Sequence, residues 1–343
     1  MQNKTVALVI GANKGTSLQI VQDHALIGQA KNIPVSEPTP VVSVSPVVVS
    51  APGRLVDLQM RISAPTIGRD LPIILLSHGH GRSNHLSSLN GYGPLTNFWA
   101  AHGFVVIQPT HLSSKTLNFD PKTPGAPLFW RSRVEDMKRI LDQLDIIEAS
   151  VPEINGRLDR NQIAVVGHSM GGHTASMLLG AQLTDPEDDT LVDMAEPRIK
   201  AGVLLSAPGN GGADLSAFAA EHYSFFREPS FAEMTTPTLV VAGDQDIASH
   251  LTVRGADWFT DPYVLSEGSK CLLTIFGGKH LLGGVSGYDA AETTDESPER
   301  VAVIQRLTWA YLRSTLYPKD QAWPQAVAAL SASAEPLGQV ECK

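Results

Sequence analysis

The chain has 343 residues, of which 43% are hydrophobic, and its formal net charge is −9. This length and apolar content suit a large domain with a full core. The acidic balance argues against nucleic acid as a partner, because phosphate binding needs clustered Lys and Arg. No apolar run reaches the roughly 18 residues of a membrane span, so we expect no transmembrane helix.

The two cysteines, Cys271 and Cys342, are far apart in the chain. One lies in a predicted strand and the other near the last residue, so we expect two free thiols, with a single disulfide as the alternative. Residues 5–12 form a short apolar run between Lys4 and Lys14, and no small-residue cleavage site follows. We therefore expect a cytoplasmic protein, with secretion as the alternative.

Residues 4–15 read KTVALVIGANKG and predict a strand that runs into a Gly-rich turn. They resemble the opening of short-chain dehydrogenases, which would imply a nicotinamide-dependent reductase. That pattern needs a Thr before Gly11 and a Gly where Ser17 stands, and no tyrosine is followed by a lysine four positions later. We therefore interpret residues 1–40 as a leader and linker of uncertain order, not as a cofactor site.

Residues 31–53 are rich in Pro, Val and Ser, which predicts a linker leading into an edge strand. We place the folded domain at residues 41–318 and a C-terminal tail at residues 319–343.

Within the domain, short apolar runs alternate with helical patterns. The predicted strands are residues 55–62, 73–77, 105–109, 163–166, 201–205, 238–242 and 270–276, and the clearest helices are 133–150 and 170–181. This alternation predicts an α/β fold with a mostly parallel central sheet covered by helices on both faces.

The strand 163–166 runs directly into the letters GHSMGG at 167–172, and a helical pattern follows. A GxSxG match by itself is weak in a chain with 29 glycines, and a turn serine at a helix start is the alternative. The strand–turn–helix context is that of a nucleophile elbow, which projects its serine above the sheet. We therefore predict Ser169 as a nucleophile.

A serine nucleophile needs a base and an acid, which in this arrangement follow on loops after later strands, in the order serine, acid, histidine. His280 follows the strand 270–276 and is the predicted base. Asp244 and Asp246 both follow the strand 238–242; we choose Asp246 and keep Asp244 as the second candidate. Asp257 and Asp261 are weaker candidates.

Two backbone N–H groups should bind the oxyanion, those of Met170 and of His80 in the HGHG loop at 78–81. His78 is expected to support that loop. His78 and His80 have no Asp or Cys neighbour that could complete a zinc site, so we predict no metal. We predict no cofactor either. His168 is predicted to pack, and His173 to belong to the first helical turn or the pocket wall.

Two long loops, residues 110–131 and 207–234, carry aromatic side chains. Substrate sites combine apolar walls with few polar groups. We predict Phe129, Trp130 and Phe225 as substrate-binding residues, with packing of the loops onto the domain as the alternative for each.

Several segments together resemble one branch of the α/β-hydrolase superfamily. They are LPIILLSHGHGRS, WAAHGFVVIQPTH, RVEDMKRILDQL, GRLDRNQIAVVGHSMGGHTASMLLG, PTLVVAGDQD and the His280 loop, and they span about residues 54–317. The branch is that of predicted dienelactone hydrolases and platelet-activating-factor acetylhydrolase-like proteins, and plant chlorophyllases are more distantly similar. Ser169 stands where dienelactone hydrolases carry Cys, and Met170 where chlorophyllases usually carry Arg.

The resemblance implies a triad of Ser169, Asp246 and His280, with His80 and Met170 as oxyanion donors. We predict a serine-dependent carboxylic ester hydrolase that acts through an acyl-enzyme on a small to medium apolar or aromatic ester. An amidase, lactonase or thioesterase with the same triad is one alternative. A non-catalytic binding protein of this fold is another. The expected partner is a small-molecule ester; the oligomeric state is not predicted.

Overall fold

A computed structural model describes residues 5–9, 26–288 and 290–343, and its core is a ten-stranded mixed sheet. The strands are β1 (Thr5–Val9), β2 (Val41–Val49), β3 (Leu58–Pro65), β4 (Leu71–Ser77), β5 (Val105–Pro109), β6 (Leu158–His168), β7 (Gln182–Thr184), β8 (Leu191–Asp193), β9 (Ile199–Leu205), β10 (Pro229–Ser230), β11 (Thr238–Gly243), β12 (Lys270–Ile275) and β13 (Gly338–Cys342). The α-helices are α1 (Gly93–Ala101), α2 (Trp130–Asp142), α3 (Leu144–Ser150), α4 (Met170–Leu178), α5 (Ala217–His222), α6 (Asp261–Val264), α7 (Pro298–Leu316) and α8 (Ala322–Ser331).

The main sheet has the order β1-β2-β3-β5-β4-β6-β9-β11-β12-β13. The six strands from β5 to β12 in that order pair in parallel, and the remaining pairs are antiparallel. The three short strands β7, β8 and β10 form a separate sheet. The predicted α/β class with a mostly parallel central sheet is confirmed.

The parallel strands are apolar because both faces of the sheet are covered. Successive residues of β4 alternate between the two cores: Ile73 and Leu75 pack with α2, α3 and α4, whereas Ile74 and Leu76 pack with α1, α7 and α8. All seven residues of β4 are buried. This sandwich holds the carboxyl ends of the central strands in fixed positions, and the loops that follow them meet at one edge.

The predicted central strands agree with the structure to within a few residues at each end. The predicted helix 133–150 is two helices, because α2 ends at Asp142 and α3 begins at Leu144. In the proline-rich segment 31–53, where we predicted a linker leading into an edge strand, residues 41–49 form β2. Pro46 lies where the β2–β3 register shifts, so its missing N–H does not interrupt a regular ladder.

The described parts of the N-terminal segment contact the body of the fold. β1 pairs antiparallel with β2 at the edge of the sheet, and a 3₁₀ helix at Gly28–Asn32 packs against α7. The first strand of a dinucleotide-binding fold lies instead in the middle of a parallel sheet, so the position of β1 argues against a reductase. The Gly-rich turn after β1 lies outside the described residues.

Residues 319–343 contribute α8 and β13 to the same body of structure. β13 pairs antiparallel with β12 and places Cys342 opposite Cys271, and the two form a disulfide. Our expectation of two free thiols was wrong. The cysteines are 71 residues apart, and only the pairing of an unpredicted strand brings their Cα atoms to 4.1 Å.

Among the described residues, no helix has both the length and the apolar character needed to cross a bilayer.

Candidate active site

Ser169 lies at the sharp turn between β6 and α4, with φ 54° and ψ −121°. The turn is close-packed: a Cβ on Gly167 would lie 1.9 Å from the carbonyl oxygen of Gly171, and one on Gly171 would lie 2.0 Å from that of Ser77. Both glycines of the GxSxG pattern are therefore sterically required. The positive φ of a non-glycine residue is a local strain that the surrounding packing holds in place.

Three side chains from separate loops form a continuous run of hydrogen bonds. His280 Nε2 lies 2.8 Å from Ser169 Oγ. His280 Nδ1 lies 3.1 and 3.0 Å from the two carboxylate oxygens of Asp246, whose side chain is fully buried. A carboxylate accepts only, so Nδ1 carries a proton and Nε2 is free to accept one from the serine hydroxyl. The structure thus brings together Ser169, His280 and Asp246.

The other aspartates of this region are engaged elsewhere. Asp244 Oδ1 accepts the Gly277 N–H at 2.7 Å and so stabilises the turn after β12. Asp257 and Asp261 both pair with Arg254. Of the four carboxylates that we considered, Asp246 is the one in contact with His280.

The two predicted oxyanion donors line the same cavity as Ser169. Met170 is the first residue of α4, so its N–H has no acceptor within the helix. The backbone N–H of His80 has no acceptor among the described residues. The ring of His78 supports this loop as expected, since its Nε2 accepts the His111 N–H and its Nδ1 contacts the Gly79 carbonyl.

Arg133 is a buried cation that the sequence analysis missed. Its guanidinium donates to Thr174 on α4, to the Ser113 hydroxyl and to the His78 carbonyl, and its side chain is fully buried. Burial lowers its pKa to about 9, so it stays charged at neutral pH. It joins the HGHG loop to the helix behind Ser169. Its position among the apolar residues of the buried face of α2, such as Met137 and Ile140, is the signal that could have revealed it.

A second buried network joins three loops through Tyr92 and His168. The Gly79 N–H donates to Tyr92 Oη, which lies 2.8 Å from His168 Nδ1. His168 Nε2 lies 2.8 Å from the carbonyl oxygen of His280. That carbonyl can only accept, so His168 carries its proton on Nε2 and accepts from the tyrosine hydroxyl at Nδ1. We predicted a packing role for His168; it also ties the HGHG loop to the His280 loop.

His173 is buried behind the elbow. Its ring contacts Trp130, Phe225 and Phe226, and neither ring nitrogen has a hydrogen-bond partner among the described residues. The residue does not line the Ser169 cavity. In the described part of the chain, no three His, Cys, Asp or Glu side chains are grouped to hold a metal ion.

Buried neutral histidines should make the fold sensitive to acid. Burial lowers the pKa of His168 and of His173 to about 3, and lowers those of His78 and His111 well below the usual 6.5. In the unfolded chain each of these histidines has a pKa of about 6.5, so below that pH the unfolded state binds more protons than the folded state. The stability that is present above about pH 6.5 is therefore lost as the pH falls. Asp136, whose pKa burial raises to about 6, partly offsets the loss.

Burial also lowers the pKa of His80 and of His102 to about 4, so we expect the free energy of unfolding to fall by about 5 kcal/mol between about pH 6.5 and about pH 5.5. Urea unfolding followed by circular dichroism at each pH measures it. A change below about 1 kcal/mol over that interval would contradict the expected neutral state of these histidines.

A cavity of about 740 Å³ opens above Ser169. Its aromatic lining residues are Phe218, Tyr223 and Phe226. Phe129, Trp130 and Phe225, which we predicted to bind substrate, do not line this cavity.

Phe129 and Trp130 line a different cavity of about 430 Å³. Phe225 is buried and stacks on Trp130, with ring centroids 5.7 Å apart. The loop composition indicated aromatic walls, but the direction of each side chain depends on the path of the loop backbone.

A family model described as the alpha/beta hydrolase family matches residues 73–341. The match covers every strand from β5 to β12, β4 apart from its first two residues and β13 apart from its last. No curated protein matches the chain.

Proposed function

The chain belongs to the α/β-hydrolase family, and on that premise we propose that it is a serine-dependent carboxylic ester hydrolase that acts through an acyl-enzyme. The observation that carries the proposal is the hydrogen-bonded run from Ser169 through His280 to Asp246. A serine hydroxyl is a weak nucleophile until a base takes its proton, and this geometry supplies the base and its orienting acid.

In the first half of the reaction, Ser169 Oγ attacks the ester carbonyl while His280 Nε2 takes the hydroxyl proton. Asp246 keeps the proton on Nδ1 and stabilises the imidazolium that forms. The ester oxygen then leaves with the proton from Nε2 as an alcohol, and the acyl group stays on Ser169. In the second half, His280 activates a water molecule in the same way, and the acid leaves.

The negative charge of each tetrahedral intermediate would be bound by the backbone N–H groups of Met170 and His80. Each such donor contributes about 3 kcal/mol to transition-state stabilisation. The N-terminus of α4, which begins at Met170, adds its partial positive charge. Arg133 holds the loop of one donor to the helix of the other and so supports their spacing.

The cavity volume of about 740 Å³ suits a small to medium substrate, and its aromatic and aliphatic wall suits an apolar or aromatic group. An amide, lactone or thioester could use the same three side chains. We also propose that the chain belongs to the dienelactone hydrolase and platelet-activating-factor acetylhydrolase-like branch of the family, which its sequence segments resemble.

A fluorophosphonate probe and a substrate panel test the proposal. We expect the probe to modify Ser169, as located by peptide mass spectrometry, and to block hydrolysis of para-nitrophenyl butyrate in proportion to labelling. A protein that is neither labelled nor active at neutral pH would be a non-catalytic member of the family. An amide, a lactone and a thioester with a matched acyl group distinguish the alternative hydrolase activities by their kcat/KM.

The disulfide between Cys271 and Cys342 is informative about the cellular compartment of the protein. Disulfides persist in oxidising environments and are rare in the cytosol, where thiols are kept reduced. The Cys271–Cys342 bond therefore favours an oxidising compartment over the cytoplasm that we had expected.

A further inference from the structure

The two sides of the Ser169 cavity differ in chemistry, and the strand order explains why. β9 and β11 lie on one side of β6, and β4 and β5 lie on the other. The loops after β9 and β11 supply a mainly apolar wall: Pro208, Phe218, Tyr223, Phe226, Ile247, Ala248 and Leu251. The loops after β4 and β5 supply both cations of the lining, Arg82 and Lys115, beside His80, Leu86 and Leu128. One wall is therefore apolar and the other carries positive charge.

Neither cation is neutralised within the described part of the chain. The side chains of Arg82 and Lys115 are exposed and form no ion pair or hydrogen bond there. Other arginines near the sheet edge are paired, for example Arg131 with Asp185 and Arg254 with Asp261. Arg82 and Lys115 thus lack the carboxylate partners that Arg131 and Arg254 have.

Glu292 is the carboxylate among the described lining residues, and its oxygens are already occupied. They accept the Ser83 N–H at 2.7 Å and the Ser83 hydroxyl at 2.8 Å. His80, His168 and His250 add no charge at neutral pH, since burial lowers the pKa of His80 to about 4 and that of His168 to about 3, and also lowers that of His250. Among the described lining residues, two cations and one carboxylate leave a surplus of one positive charge, in a chain whose formal net charge is −9.

The two cations lie close to the proposed oxyanion donor. Arg82 is two residues after His80 in the chain, and Lys115 lines the same cavity as His80 and lowers its pKa through its positive charge. A group bound between these cations would therefore lie a short distance from the ester carbonyl, on the side away from the apolar wall.

We propose that the substrate is an ester that also carries a carboxylate, which Arg82 and Lys115 bind while the apolar part of the ester lies against the wall formed after β9 and β11. The proposal rests on the proposed ester hydrolysis and adds the class of substrate. The carboxylate could belong to the acyl half, as in a half-ester of a dicarboxylic acid, or to the alcohol half, as in an ester of a hydroxybenzoic acid.

Matched ester pairs test the proposal. Each pair compares a carboxylate with its neutral carboxamide: monoethyl adipate with its carboxamide for the acyl half, and para-acetoxybenzoate with para-acetoxybenzamide for the alcohol half. Each kcat/KM is divided by the rate of spontaneous alkaline hydrolysis, which removes the difference in intrinsic reactivity. We expect the wild type to favour the anionic member of at least one pair by about tenfold, and the favoured pair identifies which half carries the charge.

The double variant Arg82→Gln with Lys115→Gln should lower that anionic-to-neutral ratio about tenfold. The double variant Arg69→Gln with Lys122→Gln removes the same charge from exposed positions outside the cavity and should leave the ratio within about twofold of wild type. Raising NaCl to about 0.5 M should reduce the wild-type ratio, because salt screens partly exposed charges.

A wild-type ratio near one in both pairs would overturn the proposal, and so would equal ratios in the two double variants. If the neutral esters are cleaved in that case, the ester hydrolase proposal stands and only the anionic preference fails. If no ester is cleaved and Ser169 is not labelled, the proposed function fails and this inference fails with it.

Discussion

Replacing Ser169 with alanine is expected to lower kcat for para-nitrophenyl ester hydrolysis by about 10⁴- to 10⁶-fold. The substitution removes the oxygen that lies 2.8 Å from His280 Nε2, and no other hydroxyl in the described structure contacts that nitrogen. Alanine fits the same turn, because the steric demands fall on Gly167 and Gly171 rather than on the Ser169 side chain. Initial rates at saturating ester, with circular dichroism to verify the fold, measure the effect.

Ser206→Ala is a matched control for this experiment. Ser206 directly follows β9, beside the elbow, and its buried hydroxyl has no partner among the described residues. Removing that hydroxyl should leave kcat within about twofold of wild type. A folded Ser169→Ala protein that kept more than about 1% of the wild-type rate would contradict the acyl-enzyme mechanism.

Asp246→Asn is expected to lower kcat by about 10³- to 10⁴-fold, with little change in the unfolding midpoint. An asparagine amide cannot stabilise the imidazolium, and it can hold His280 in the tautomer whose Nε2 carries the proton. That tautomer cannot accept a proton from Ser169. The effect should appear in kcat more than in KM, because Asp246 is fully buried and does not line the cavity.

Asp244→Asn makes the same chemical change two residues away. Its carboxylate accepts one backbone N–H, from Gly277, and the amide oxygen of asparagine can accept that bond in its place. The expected loss of kcat is at most about threefold. The reverse ranking of the two variants would show that Asp244 is the acid of the site.

Much of the fold was predictable from local pattern. The central strands are continuous apolar runs because both of their faces are buried, so each could be located without knowledge of its neighbours. The edge elements were less predictable. β13 has few buried residues, and β2 contains Pro46, so pairing with neighbouring strands rather than local pattern decides that they are strands.

Within the candidate site, the sequence by itself determined the position of Ser169 and the order of its predicted partners, because an elbow is a local turn with steric needs that glycine spacing reveals. Only the tertiary structure decided which aspartate contacts His280, since Asp244 and Asp246 share one loop and differ in the direction of their carboxylates. The same holds for the aromatic residues that reach the cavity, for the Cys271–Cys342 bond and for the buried contacts of Arg133 and Tyr92. Each of these depends on how segments distant in the chain meet, and periodicity and spacing carry no information about such contacts.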